Sequence, residues 1–236
     1  TIIPQRIGVV SINFKLTETK LFLGWFMKQK LIALFFIFYI TSFASTSSLY
    51  RSLELKDKMT YDVFKNAVKG ASKIKGNKSQ YLTVIDFTKP STEPRFFVMD
   101  LKKKKLLYYT YVSHGKNSGK VLATKFSNAP NSFQSSLGFF VTDSKPYFGN
   151  FGYSLRLKGL ENRFNSNAYD RAIVIHGADY ASKTYIDQMG FLGRTLGCPA
   201  IPTELSKEVI DLLSDNSIVF IAGNDTKYQK ESRFIN

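Results

Sequence analysis

Two residues of this chain, Cys198 and His176, have the types needed for nucleophilic chemistry. Cys198 is the only cysteine among 236 residues, and His176 is one of two histidines. A thiol is a weak nucleophile at neutral pH until its proton is removed. A histidine within hydrogen-bond reach can take that proton and hold a thiolate–imidazolium pair. We therefore predict that Cys198 is a catalytic nucleophile and that His176 is its general base.

Glycines and apolar residues around the pair indicate how each side chain is presented. Gly197 comes directly before Cys198, where it allows a tight turn and brings main-chain N–H groups near a carbonyl under attack. We predict that the N–H groups of Gly197 and Cys198 form an oxyanion hole. The triplet 173–175 is apolar and predicts a buried strand that delivers His176 at its end. Each residue alone could be an ordinary core residue, but the two together favour catalysis.

Neighbouring residues are candidates for binding the substrate: Arg194, Thr195, His114 and Gly177. Arg194 could bind a carboxylate with two hydrogen bonds, or it could form a structural ion pair. His176 needs an orienting partner, for which Asp179 and a backbone carbonyl remain alternatives. The two histidines and the cysteine lack the spacing of metal ligands, so we predict no metal site and no cofactor.

The elements that must position these residues are mostly short strands. Period-two alternation predicts a half-buried strand at 81–88 and paired strands at 95–100 and 106–113, and further strands are predicted at 137–142, 172–175 and 217–222. Helical periodicity predicts helices at 56–73, with Thr60 as N-cap, and at 203–214. The polar tail from Asn224 is expected to be loose. The sequence therefore predicts a mainly β fold with a few helices in a single domain.

The N-terminal region has the layout of a secretory signal peptide. A basic stretch at 27–30 precedes the apolar run 31–40 and small residues up to Ala44. The run is shorter than the ~20 residues of a membrane-spanning helix, although an uncleaved anchor is the alternative. Since Met27 stands where an initiator would, we interpret 1–26 as a non-native upstream segment. The remaining divisions are 27–44 as signal peptide, 45–80 as an N-terminal helical segment and connector, 81–223 as the catalytic domain, and 224–236 as the tail.

Charge and cysteine usage bear on the partners. The formal net charge is +15, which favours nucleic acid, acidic lipid headgroups or an anionic wall polymer, unless the source proteome is simply lysine-rich. Export disfavours nucleic acid, and we interpret the lysines at 102–105 as a solvated turn. Exported proteins usually pair their cysteines in disulfides, so an unpaired Cys198 is further indication of a nucleophile.

The blocks around the pair resemble the catalytic domain of L,D-transpeptidases of the YkuD type. That family's signature is an upstream histidine followed by Ser/Thr-His-Gly-Cys, and His176, Thr195, Gly197 and Cys198 match it, with Leu196 in place of the second histidine. Pro199-Ala200 also departs from the usual pair. Both departures resemble a sub-branch typical of Gram-negative envelopes, which carries Gly-Arg-Ser/Thr-x-Gly-Cys-Pro. Further blocks resemble that sub-branch at 112–119, 125–128, 135–138 and 152–160.

The resemblance implies a β-sandwich or barrel over residues 80–223 and an exported, periplasmic or envelope enzyme that acts on peptidoglycan. Cys198 would attack the carbonyl of the third residue of a tetrapeptide stem and release the terminal D-alanine. The thioester would pass to an amine of another stem, to an envelope protein or to water, and carbapenems would be trapped at the same sulfur. The alternatives are a cell-wall cysteine endopeptidase or amidase, which the glycine motifs disfavour, and a catalytically inactive basic wall-binding module, which the intact His176 and Cys198 disfavour.

Overall fold

The structure, a computed structural model, describes residues 45–76 and 79–236. The interpreted upstream segment 1–26 and the predicted signal peptide 27–44 lie outside the described residues. Contacts divide the chain into Thr1–Ser47 and Ser48–Asn236, and the second unit carries the strands and the site. Within the described ranges, no helix is both long enough and apolar enough to cross a membrane.

The described residues form nine strands and five helices. The helices are α1 (residues 45–52), α2 (Tyr61–Lys73), α3 (Lys183–Met189), α4 (Thr203–Leu213) and α5 (Thr226–Glu231). The strands are β1 (Tyr81–Asp86), β2 (Phe96–Asp100), β3 (Lys105–Thr110), β4 (Gly138–Thr142), β5 (Tyr147–Gly149), β6 (Gly152–Gly159), β7 (Val174–Gly177), β8 (Ala200–Ile201) and β9 (Ile218–Ala222).

The nine strands form one sheet in the order β3-β2-β1-β9-β4-β6-β7-β8, with β5 paired to β6. Most pairs are antiparallel, whereas β1–β9 and β7–β8 are parallel. A bridge between Ser113, just after β3, and Ala200 in β8 joins the two ends of this order. The sheet is therefore nearly closed into a barrel, which confirms the predicted mainly β fold.

Several predicted elements agree closely with the structure. β2 and β3 pair as an antiparallel hairpin around the lysine-rich turn, and α4 and β9 begin or end within a residue or two of their predicted bounds. β1 differs, because all of its residues after Tyr81 are buried instead of every second one. Helix α2 packs against β1 and β9, so the face that was predicted to meet solvent is covered.

Three predictions about the chain's periphery are wrong or incomplete. Helix α2 begins at Tyr61 and not at 56, although Thr60 does occupy its N-cap position. The hairpin of β5 and β6 and helix α3 were not predicted as such. The C-terminal tail is not loose: it contains α5, and Phe234 and Ile235 after it are buried in the main core.

Candidate active site

Cys198 lies in the loop directly before β8, and only 4% of it is exposed. Its Sγ accepts a hydrogen bond from the Val174 N–H at 3.5 Å and donates to the Ala172 carbonyl at 3.7 Å. Burial raises the pKa of the thiol, and the Val174 N–H and the positive charge of Arg171 oppose that rise only in part. The thiol is therefore protonated in the resting protein.

His176 lies in β7, two residues after Val174. Its Nδ1 is 3.0 Å from the Gly177 carbonyl, so Nδ1 carries the proton and donates it, which leaves Nε2 as an acceptor. Burial lowers the pKa of the imidazole, so the ring is neutral at physiological pH. The orienting partner is thus a backbone carbonyl and not Asp179, whose carboxylate accepts from the Thr203 hydroxyl at 2.6 Å.

Strand β7 contacts Cys198 through Val174 and carries His176. Cys198 Sγ lies against Val174, and the parallel pairing with β8 sets His176 opposite Ala200, just beyond the cysteine. In the part of the chain that the structure describes, no hydrogen bond joins Sγ to the imidazole. Burial also acts on the two pKa values in opposite directions, and both shifts favour the neutral forms. The thiolate–imidazolium pair predicted from the sequence is therefore not the resting state of this site.

Phe151 covers the imidazole. It sits in the turn between β5 and β6, with 48% of its surface exposed, and its ring stacks on His176 with centroids 4.9 Å apart and planes 26° apart. This contact explains why His176 is 2% exposed although it lies near the end of a strand. Because the hairpin was not predicted, neither was this contact.

Arg171 is the cation whose charge opposes the rise in the pKa of Cys198, and the sequence analysis did not identify it. Its guanidinium donates four hydrogen bonds, to Ser127 O (2.8 Å), Ser136 Oγ (2.7 Å), Ser132 Oγ (3.2 Å) and Gln134 O (2.7 Å). Among the described residues no carboxylate forms an ion pair with it. Its charge therefore remains available to favour the thiolate of Cys198. In the sequence, only the position of Arg171 just before the strand that carries His176 could have indicated this role.

The turn before Cys198 is held by the Thr195 side chain. Thr195 Oγ1 accepts from the Gly197 N–H at 3.0 Å and donates to the Cys198 carbonyl at 2.7 Å. Gly197 has φ of 128°, and a Cβ there would lie 2.9 Å from the Gln134 carbonyl oxygen, so the position requires glycine. The Thr195 hydroxyl thus bonds two backbone groups of its own loop, which supports a role in holding the turn, and its predicted substrate contact stays a prediction.

The predicted oxyanion hole is only half available. The Gly197 N–H is taken by Thr195, whereas the Cys198 N–H meets no acceptor among the described residues. The Cys198 N–H therefore remains available to a ligand, and it belongs to the residue whose sulfur is the candidate nucleophile.

His114 belongs to the interior and not to a substrate surface. Its Nδ1 accepts from Arg95 Nη2 at 2.7 Å, and its Nε2 donates to the Gly119 carbonyl at 3.1 Å. Burial, and then the charge of Arg95, lower the pKa of His114 to about 4. With both ring nitrogens engaged and 1% of the residue exposed, the predicted substrate contact is not supported.

The last two candidates for substrate binding, Gly177 and Arg194, differ in whether they are free to bind a ligand. Gly177 approaches helix α4 so closely that a Cβ would lie 2.5 Å from Ser206 Oγ, and its carbonyl orients His176, so its role is packing and positioning. Arg194 is exposed and makes one long hydrogen bond, to the Lys116 carbonyl at 3.4 Å. It forms no ion pair within the described residues, so the structural alternative for Arg194 is not supported and its guanidinium is available to a ligand.

Comparison with known proteins gives a family match. The family model of the L,D-transpeptidase catalytic domain matches residues 55–222. None of the curated proteins compared with the chain matches it. Solved structures similar to the chain include an L,D-transpeptidase in complex with imipenem (12% identity, 61% of this chain and 59% of that chain, TM-score 0.38) and the L,D-transpeptidase from Mycobacterium smegmatis (13%, 61% and 59%, 0.37).

A third similar structure is the L,D-transpeptidase from Stackebrandtia nassauensis, with 14% identity over 78% of each chain and a TM-score of 0.37. The chain spans about three fifths of the length of the first two structures. The family match begins at residue 55, before the predicted boundary at 81. The buried residues Leu55, Met59 and Phe64 of this N-terminal part belong to the same core as the strands.

Proposed function

Because the chain belongs to the L,D-transpeptidase catalytic-domain family, we propose that it is an exported murein L,D-transpeptidase whose nucleophile is Cys198. The observation that carries the proposal is the family match over residues 55–222, which contains the chain's one thiol and both of its histidines. The contact of Cys198 Sγ with the strand that bears His176 supports the same assignment.

The proposed donor is a peptidoglycan tetrapeptide stem, and the bond that breaks lies between its third residue and the terminal D-alanine. His176 Nε2 takes the thiol proton as Sγ attacks the carbonyl carbon, and the Cys198 N–H holds the developing oxyanion. The imidazolium then protonates the leaving amine of D-alanine. A thioester on Cys198 results, and the attack of an amine or of water on it breaks the C–S bond and returns the proton through His176.

The electrostatics of the site suit a negative charge on the Cys198 sulfur that exists only during the reaction. Burial holds the thiol and the imidazole neutral at rest. The Val174 N–H and Arg171 then stabilise the sulfur when it becomes negative, without having to move. Arg194, beside the same loop, is the proposed ligand of a donor carboxylate. Another stem peptide, an envelope protein and water are the possible acyl acceptors.

The test is incubation of the purified protein with disaccharide-tetrapeptide, followed by mass spectrometry of the products. We expect release of D-alanine and formation of cross-linked or hydrolysed stems, and neither with Cys198→Ala. Wild-type activity in Cys198→Ala would end the proposal. Cleavage at another stem bond, or at the bond between sugar and peptide, would favour an endopeptidase or amidase. Binding to sacculi without any product would favour a wall-binding module.

Trapping by a carbapenem provides a second readout of the same thiolate. The strained amide of the drug would acylate Cys198, so we expect a mass increase of one drug molecule, mapped to the peptide containing Cys198 and absent from Cys198→Ala. A missing adduct in a protein that still releases D-alanine would remove only the inhibitor from the proposal.

Export to the periplasm or envelope is proposed from the signal-peptide pattern at 27–44. Intact-mass measurement of the protein recovered from its native envelope should give a chain that starts within a few residues of Ser45. A cytosolic species that retains residues 1–26 would contradict both export and the interpretation of those residues as non-native.

A further inference from the structure

Arg156 is held between two exposed tyrosine rings close to the reacting residues. Its guanidinium carbon lies 4.7 Å from the ring centroid of Tyr169 and 5.5 Å from that of Tyr147. The two tyrosines are 43% and 37% exposed. Stacking on aromatic faces fixes the plane of a guanidinium while its N–H groups stay free at the edge. Arg156 is therefore an oriented cation at the surface.

The N–H groups of Arg156 are almost unused. Within the described residues its guanidinium bonds only to the two tyrosines, and the bond from Nη2 to the Tyr147 hydroxyl is long, at 3.5 Å. No carboxylate in the described part of the chain lies within ion-pair distance of it. Three other arginines differ from it, since Arg95 and Arg171 each donate several hydrogen bonds and Arg163 pairs with Glu231. The Arg156 guanidinium can therefore accept a ligand without losing a protein partner.

Strand pairing places this cation on the strand next to the one that carries His176. Arg156 pairs with Val174, whose N–H contacts the nucleophilic sulfur, and Ser154 pairs with His176. Directly paired residues of antiparallel strands project from the same face of the sheet. Arg156 thus shares a face of the sheet with His176.

Arg156 and Arg194 belong to segments on opposite sides of Cys198 in the order of strand pairing. Arg156 lies on β6, which pairs directly with β7. Arg194 lies in the loop that bridges to the far side, where Thr195 forms a bridge with Gly115. Two arginines without an ion pair among the described residues therefore lie on segments on either side of the one that carries Cys198, an arrangement that suits a reaction between two carboxylate-bearing peptides.

We propose that Arg156, with Tyr147 and Tyr169, forms the site that binds a carboxylate of the acceptor stem peptide. This inference rests on the proposed function. The guanidinium would bind the carboxylate through two N–H groups, and the tyrosine rings would pack on the adjoining chain. In the transfer step the acceptor amine attacks the thioester carbonyl, a C–N bond forms, the C–S bond breaks, and the amine proton passes through His176 to the leaving sulfur.

The experiment measures how one thioester partitions between two fates. The purified full chain is given tetrapeptide stems, and the ratio of cross-linked to hydrolysed product is determined by mass spectrometry. Because both products arise from the same thioester, the ratio does not depend on how fast that thioester forms. The variants are Arg156→Gln and, as a matched control, Arg51→Gln, which changes an exposed arginine on α1. A thermal melt of each variant checks folding.

We expect the ratio to fall on the order of tenfold in Arg156→Gln, the usual loss when one partner of a charged hydrogen bond is removed, and to be unchanged in Arg51→Gln. A second arm leaves the protein intact and supplies an acceptor whose free carboxylates are amidated. Its ratio in the wild type should then fall to that of Arg156→Gln, and the variant should not discriminate between the two acceptors.

Each outcome bears on one proposal. A fall of less than fivefold in Arg156→Gln, an equal fall in Arg51→Gln, or a wild type that uses the amidated acceptor as well as the natural one would overturn the acceptor site. A wild type that only hydrolyses its thioester would overturn it too. A wild type that releases no D-alanine would instead overturn the proposed function.

Discussion

Burial shifts the pKa values of Cys198 and His176 in opposite directions, and these shifts determine the protonation of both side chains at rest. A thiol becomes harder to ionise when water is removed, and an imidazole becomes harder to protonate, so Cys198 and His176 are both neutral at rest. Arg171 is the fixed charge that partly offsets this for the sulfur. The sequence identifies the pair by residue type, but it cannot reveal their ionisation, because that depends on how strongly the surrounding fold excludes water.

At this scale we predict that iodoacetamide alkylates Cys198 of the free protein with a midpoint above pH ~8.5, the value for a free cysteine. The raised pKa of the buried thiol is the reason, since the thiolate appears only as pH rises through that pKa. Arg171→Gln removes the nearby cation and should move the midpoint higher still. Arg171→Lys keeps the charge and should stay nearer the wild type. Alkylation rates across the neutral and alkaline range give the midpoints.

Cys198→Ala serves as the unlabelled control for this measurement. A midpoint below that of free cysteine, lost in His176→Ala, would instead demonstrate a resting ion pair. A midpoint that is the same in Arg171→Gln as in the wild type would show that the guanidinium positions the loop without acting on the sulfur.

At the scale of elements, the loop before β8 depends on its own side chains for its shape. Thr195 closes it with two hydrogen bonds, and Gly197 adopts a backbone conformation that other residues avoid. The sequence correctly marks this loop as special, because glycine and proline flank the cysteine. It does not distinguish a hydroxyl that binds substrate from one that holds the turn, because that depends on which backbone groups the fold brings within reach.

We therefore predict that Thr195→Val lowers kcat by about tenfold or more while KM for the tetrapeptide changes little. The valine has nearly the same shape but cannot bond the Gly197 N–H or the Cys198 carbonyl, so the nucleophile and its N–H lose their fixed position. A loss of about 1.4 kcal/mol of transition-state stabilisation is a tenfold loss of rate. Steady-state release of D-alanine measures both constants.

Thr195→Ser is the matched control, since it keeps the hydroxyl and should recover most of the activity. If Thr195→Val instead raises KM and leaves kcat intact, the threonine contacts substrate as the sequence analysis first predicted.

At the scale of the whole molecule, the interior strands were predictable and the chain's periphery was not. Continuous apolar residues determine β1, β2, β4 and β9, because those residues must be buried whatever the topology, and the apolar residues of β3 are only partly buried against the same core. The β5–β6 hairpin carries exposed aromatic rings, which resemble core residues in sequence. The tail was predicted to be loose because α5 has a polar sequence. In the structure α5 is held by the buried carboxyl group of Glu161, which no local sequence pattern reveals.

The last prediction concerns this attachment of the tail. Glu161 is 4% exposed, and its carboxyl oxygens accept from the Phe139 N–H at 2.8 Å, from the Tyr228 hydroxyl at 3.0 Å and from Ser232. Tyr228→Phe removes one of these donors without leaving a cavity. A hydrogen bond to a charged group contributes about 1.5–3 kcal/mol, so the free energy of unfolding should fall by about that amount.

Urea unfolding at neutral pH measures the change. Lys227→Gln, at the exposed neighbouring position, is the control and should shift the free energy of unfolding by less than about 0.5 kcal/mol. Deletion of residues 226–236 should destabilise the protein more than Tyr228→Phe, because it also uncovers Phe139, which packs against Phe234. Equal stability of the wild type, Tyr228→Phe and the truncated chain would mean that the tail is a loose extension after all and that the core closes without it.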